Sequence, residues 1–378
     1  MFRMWLSGKP YKKGNLKMTH KERLMAVKEG RKTDRPAFVA WGPHMNLVDR
    51  NVKDFTEATI AYQNTYQFDF IKLMPNGMYF TEDFGQMLKP AAHIYDDTWM
   101  NVQASAVNDP HQWSKIKVPD LKKGALAREV EVCKRVNDYY QGDVPVLATV
   151  FSPFIWMGEM TGGFFHPEVI LSHFEYSGSY ARAALEVISE TNERLMEAFV
   201  DAGAAGFFLG YQCGMAKLMG RDMFDECARK YDVRNINAIK DRTWFNMAHI
   251  CHGDAGTSQW FLDYPVDAFN WADQEQGQLT IGEMRQKTER VLVGGLDHAN
   301  GHGYKELEGR YKPSSDFAGN DRDEIKAHIK KKVKEALKSG GLKTVISGGC
   351  GWSEGSLPRF PLWREVMEEI GEEGWDEA

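Results

Sequence analysis

His249 and Cys251 stand two residues apart near the end of an apolar run, Trp244–Gly253 (WFNMAHICHG). Side chains two apart on a β-strand point to the same face. An imidazole and a thiol would therefore project together from one strand end. About a hundred residues on, a second strand-like run, Lys343–Gly351 (KTVISGGCG), ends in Cys350. Two thiols and one imidazole make a set of three zinc ligands, which leaves a fourth position for water or substrate. The glycine pair Gly348-Gly349 would let the backbone close on such a site. His249, Cys251 and Cys350 are accordingly the expected metal ligands. A bare HxC pair is short and recurs by chance, and single cysteines are commonly core. Cys133 and Cys227, in helical stretches, are read as core on that ground.

These residues need a frame that brings strand ends together. Eight short apolar runs bounded by Gly, Pro or Asp read as buried parallel strands: Ala37–Pro43, Phe68–Met74, Val144–Phe151, Ala204–Gln212, Thr243–Cys251, Val266–Trp271, Arg290–Asp297 and Lys343–Cys350. Helical patterns lie between them at Asp54–Tyr66, Pro167–Asp201 (long enough for more than one helix), Arg221–Lys240, Thr280–Glu289, Asp321–Ser339 and Pro361–Ile370. Alternation of this kind predicts an α/β fold, a (β/α)8 TIM barrel. An open doubly wound sheet is the alternative, but no GxGxxG follows the first strand. Thr19 and Glu22 have capping-box spacing at the start of the first helix. The long gap after the second strand, Met78–Ala106, predicts a hairpin flap at the barrel mouth, and Ala299–Asn320 reads as a polar, Gly-rich loop. Residues 1–18 are expected to form a flexible arm, 19–370 a single barrel domain, and 371–378 an acidic tail, with fraying expected from Glu368 on.

In a barrel the site lies at the C-terminal strand ends. His252, Asn270 and Asp273 fall there as catalytic or orienting candidates. Trp41, His44, Asn76, Tyr211, Gln212 and Trp271 are the candidates for lining a substrate pocket, and their aromatic share suits a flat or methyl-bearing molecule. Ser152, Cys213, Asp297 and His298 complete the polar set at the same level.

Composition narrows the setting. The net charge of −6 comes with scattered Lys and Arg, so no basic stripe suggests nucleic acid. No apolar run is long enough to span a membrane, and the N-terminal apolar run is too short for a secretory signal. Five widely spaced cysteines, an odd number, argue for a reducing cytoplasm over a disulfide framework.

Five stretches carry a family resemblance: KERLMAVKEGRKTDRPAF at 21–38, SPFIWMGEMTGG at 152–163, DAGAAGFFLGYQCG at 201–214, MAHICHG at 247–253 and VISGGCGWSEGSLP at 345–358. Through them the chain resembles the uroporphyrinogen decarboxylase superfamily, and within it the zinc-dependent, corrinoid-linked methyltransferases. The resemblance implies a (β/α)8 barrel and Zn2+ on His249, Cys251 and Cys350. Two departures stand out. Porphyrinogen decarboxylases carry an arginine pair where this chain reads WGPHMN, 41–46, and an aspartate after the second strand where it reads Leu73-Met74-Pro75. Where the methyltransferase branch often has a Glu after the sixth strand, Asp273 or Glu275 would substitute. There is no DxHxxG corrinoid motif in the chain, so the resemblance implies cobalamin carried by a separate corrinoid protein. The other expected partner is a small methyl ether, amine or thiol, with a homodimer as the candidate assembly. The aromatic strand ends tilt the expectation toward a methyl donor. A decarboxylase-like lyase and a metal-dependent hydrolase on the same barrel are the alternatives.

Overall fold

Short apolar runs alternating with helices resolve into ten strands in a computed structural model that describes residues 17–42, 47–89, 102–162, 167–251, 253–299 and 312–374. The strands are β1 (Ala37–Phe38), β2 (Ile71–Lys72), β3 (Met87–Leu88), β4 (Val102–Ala104), β5 (Val146–Phe151), β6 (Gly206–Gln212), β7 (Met247–Cys251), β8 (Ala268–Trp271), β9 (Val291–Leu296) and β10 (Thr344–Gly348). Eight of them form one parallel sheet in the order β1-β10-β9-β8-β7-β6-β5-β2. Its two ends meet, since the Asp69 N–H donates to Phe38 O at 3.0 Å. All eight expected strands are present, and the fold is TIM-barrel-like, as the alternation predicts. β9 and β10 are buried along their whole length, which is why they read as unbroken apolar runs.

The barrel floor is built by the stretch that opens the resemblance. The first helix, His20–Glu29, starts at the expected capping box of Thr19 and Glu22 and stops at Gly30 in the left-handed region. It delivers Arg23 to Asp69, just ahead of β2, with Nη1 2.6 Å from Oδ1. Arg35, just ahead of β1, reaches the same carboxylate at 2.8 and 3.1 Å. The Phe38 N–H adds a fourth donor bond at 2.8 Å, and His20 Nδ1 lies 3.2 Å away. Asp69 and Arg23 are fully buried. Burial alone would raise the Asp69 pKa, but the Arg35 and Arg23 guanidiniums over-compensate and hold it well below the usual carboxylate range.

Several helices differ from expectation for identifiable reasons. Pro167–Asp201 is one helical run broken by non-helical backbone at Ser177. The helix expected at Arg221–Lys240 begins earlier, at Cys213, and passes Gly220 at φ 73° and a π-helical turn at Asp225–Arg229 before Lys230–Ile239. The helix after β8 covers only Ile281–Arg285. Arg285 cuts it short by donating to the carbonyls of Thr288, Arg290, Gly340 and Lys343. The final helix, Phe360–Glu373, runs through the segment expected to fray. Lys326 and Lys330, on the helix Arg322–Gly340, pair with Glu369, and Lys330 and Lys334 pair with Glu373.

Among the described residues, the expected flap contains the antiparallel pair β3 and β4, with Met87 opposite Ala104. Its N-terminal part is instead a short helix, Tyr79–Glu82, and 90–101 lie outside the described residues. Among the described residues no helix is long and apolar enough to cross a membrane.

Candidate functional site

Strand register decides which mouth residues face the barrel interior. His249 on β7 lies opposite Gly210 on β6 and Asn270 on β8. Paired residues of parallel strands share a face, so Phe208, two before Gly210, joins them. The contacts agree: the His249 ring is 4.6 Å from the Phe208 ring, and Trp41 meets both, edge-on to His249 at 6.2 Å and to Phe208 at 5.2 Å.

His249 is fixed from behind. Its Nδ1 lies 2.6 Å from Asn270 Oδ1. The Asn270 amide itself donates to Val293 O at 2.8 Å and Gly348 O at 2.9 Å. With both amide hydrogens spent, Asn270 Oδ1 is the atom turned to His249 and accepts from Nδ1–H, which leaves Nε2 as the nitrogen directed into the barrel. It lies on the side of Cys350, whose Sγ is 3.7 Å from Nε2. Zn–N of about 2.05 Å and Zn–S of about 2.3 Å in a tetrahedron separate the two ligand atoms by about 3.6 Å. An imidazole whose other nitrogen donates to an amide carbonyl is also the usual setting of a metal-bound histidine. Cys251 lies on the same strand face as His249, but its Sγ is turned to Tyr211 O at 3.9 Å. Among the described residues no group of three His, Cys, Asp or Glu side chains is gathered to hold a metal. Cys251 has to turn from the Tyr211 carbonyl to complete such a set. Asn270→Ala is expected to lower zinc affinity about 10–100-fold, measured by competition with a chelating dye.

The glycine pair acts by close approach. A Cβ on Gly349 would lie 2.2 Å from Ala272 Cα, and one on Gly348 would lie 2.5 Å from His298 Cβ. No side chain is admitted, and the turn carrying Cys350 can rest against the end of β8. The Trp352 N–H then donates to Trp41 O at 3.0 Å, tying this turn to the exit of β1.

Lys72 is a residue the motif reading missed. It sits on β2 inside the barrel, with Nζ 4.4 Å above the Phe208 ring and 2.7 Å from Met74 Sδ. Burial pushes its ammonium down to about 7, against the pull of the Cys350 and Cys251 sulfurs. The signal was present in the sequence: one lysine in the otherwise buried run FDFIKLM. Burial likewise raises the Cys350 thiol, opposed by the Gly351 N–H and Lys72 and reinforced by Glu275.

The other expected residues divide. Trp41 is buried against His249 as described. Asn76 is fully buried; its Oδ1 accepts from the Met78 N–H at 2.9 Å and its Nδ2 has no hydrogen-bond partner. Tyr211 and Trp271 lie opposite Ile250, one residue out of phase with His249, and so face the helices. Tyr211 packs on Phe261 and Tyr264, and Trp271 Nε1 donates to Leu279 O at 2.6 Å. Neither lines the interior, which corrects the expectation for both. Asp273 is buried with its carboxylate on the Gly295 N–H at 3.1 and 3.2 Å and on Gln274 Nε2 at 2.5 Å. Burial pushes it up to about 6, opposed by those donors. It braces β9 and does not face the thiols. His44 and His252 lie outside the described residues, as do the side chains of Gln212 and Cys213. Cys133 and Cys227 are buried, as expected.

The uroporphyrinogen decarboxylase family model matches residues 19–356. The chain belongs to the uroporphyrinogen decarboxylase family. Among solved structures, a methyltransferase from Methanosarcina mazei shares the family member's fold with a TM-score of 0.72 at 16% identity, the match covering 94% of this chain and 99% of that one. A B12-independent methionine synthase from a Shewanella species follows at 0.52 and 12% identity, covering 89% and 94%. No curated protein matches this family member in sequence.

Proposed function

We propose that this chain is a methyltransferase that moves a methyl group between a small methyl ether, amine or thiol and the cobalamin of a separate corrinoid protein, working on the donor side. The observation that carries the reading is the pairing of His249 Nε2 with Cys350 Sγ at 3.7 Å, with the imidazole held by Asn270. Zinc held by His249, Cys251 and Cys350 would supply Lewis acidity toward a bound O, N or S atom. The chain's own residues do the rest. Asn270 keeps the imidazole in one tautomer. Trp41 and Phe208 wall it with aromatic surface that keeps bulk water from its inner side. Lys72 places positive charge beside both thiols. The fold shared with the Methanosarcina mazei methyltransferase is compatible with this reading, and the absence of a DxHxxG stretch favours a corrinoid on a partner.

The test follows free cob(I)alamin and methylcobalamin by absorbance with zinc-replete protein and a panel of aryl methyl ethers, methylamines and thiols. Methylation of cob(I)alamin by a donor is expected. No exchange in either direction across the panel would overturn the proposal.

A further inference from the structure

Lys72 is a partly buried cation inside the barrel, and its contacts among the described residues are weak. Among the described residues no carboxylate pairs with it. Its contacts are the π face of Phe208 and the thioether of Met74. A thioether is a poor acceptor and a ring face holds an ammonium far less firmly than a carboxylate does. An ammonium inside the barrel with no strong acceptor, held over a ring face and a thioether, describes a place for a negative group.

We infer that Lys72 is a specificity residue that binds an anionic oxygen, a carboxylate or comparable oxyanion, on the small substrate. This rests on the methyltransferase reading in one respect. Two thiolates and one Zn2+ sum to zero charge, so with the metal bound the Lys72 charge is left for the substrate. A substrate bearing an anion close to its reacting group would place that anion over Phe208 while the reacting atom lies toward Cys251 and Cys350. A neutral analogue would forgo that ion pair and leave the ammonium with only the Phe208 ring and the Met74 thioether, which selects against it.

The test compares two alkylating reagents of nearly equal size, iodoacetate, an anion, and iodoacetamide, which is neutral. In both, a cysteine sulfur attacks the methylene carbon, an S–C bond forms and iodide leaves. Rates at Cys251 and Cys350 are read by peptide mass spectrometry in the full-length protein, and the iodoacetate-to-iodoacetamide ratio is compared with that of glutathione. A change in thiolate fraction affects both reagents alike and cancels in the ratio. The wild-type ratio is expected to exceed that of glutathione by about 3–30-fold. Lys72→Met is expected to lose the excess and Lys72→Arg to keep it. A wild-type ratio equal to that of glutathione, an unchanged ratio in Lys72→Met, or no labelling of either cysteine by either reagent would each overturn the inference. Zinc content measured on the same preparations tests the methyltransferase reading separately, because a charge preference without zinc would sink that reading and leave the anion site standing.

Discussion

Asp69→Ala is expected to lower the stability of the fold by about 3–5 kcal/mol, the range found when one partner of a buried ion pair is removed. The substitution leaves the Arg23 and Arg35 guanidiniums buried without their shared carboxylate, and it strips the Phe38 N–H of its acceptor. Against a total of about 5–15 kcal/mol for a folded domain, that is a large share. The site itself should be intact in the protein that remains folded, because the network lies at the opposite end of the barrel. Urea denaturation followed by circular dichroism measures the loss. The pH dependence has a definite sign. A carboxylate held below its unfolded value of about 3.9 contributes fully above that pH and loses its contribution as pH falls toward the folded pKa. Wild type should therefore lose stability below about pH 4 more steeply than Asp69→Ala. Equal acid slopes for the two proteins would show that the network is not what holds the floor together.

Cys350→Ala is expected to abolish methyl transfer while leaving the fold in place. Cys350 lies in the turn after β10, beyond the buried strand, so truncating its side chain opens no core cavity. The loss should exceed the about 10–100-fold typical of removing a residue that only supports a ligand. Asn270→Ala provides that internal comparison, since Asn270 acts on His249 and spends its amide on the Val293 and Gly348 carbonyls. Measured side by side, the two variants should be clearly separated in rate at equal protein stability. If Cys350→Ala keeps full transfer, the thiol is a bystander.

Much of this was legible in the sequence because strand burial leaves a plain mark. Runs such as VPVLATVF and RVLVGGLD are short, rich in Val and bounded by Gly, Pro or Asp, which favours strands covered on both sides, and all eight lie where the runs lie. The placing of His249 and Cys251 on one face of β7 also followed from spacing alone. What spacing could not supply was the register between strands. A shift of one residue exchanges the two faces of a strand, and it is register that turns Tyr211 and Trp271 outward while Phe208 and Asn270 face in. Asp273 illustrates a second limit. Its position at a strand end suggested chemistry, whereas the backbone N–H of Gly295 on the next strand, β9, claims its carboxylate. Lys72 was legible and passed over, because attention to ligand motifs hid a charge that had no reason to be in an apolar strand.

The most direct test of the central claim is elemental analysis of the purified protein beside a Cys251→Ser/Cys350→Ser double variant, both confirmed to be folded. About one zinc per chain in the wild type and essentially none in the variant is the expected result, in line with a three-ligand site. Wild-type protein that takes up no zinc after repletion, or a variant that retains it in full, would contradict the metal centre and with it the proposed chemistry.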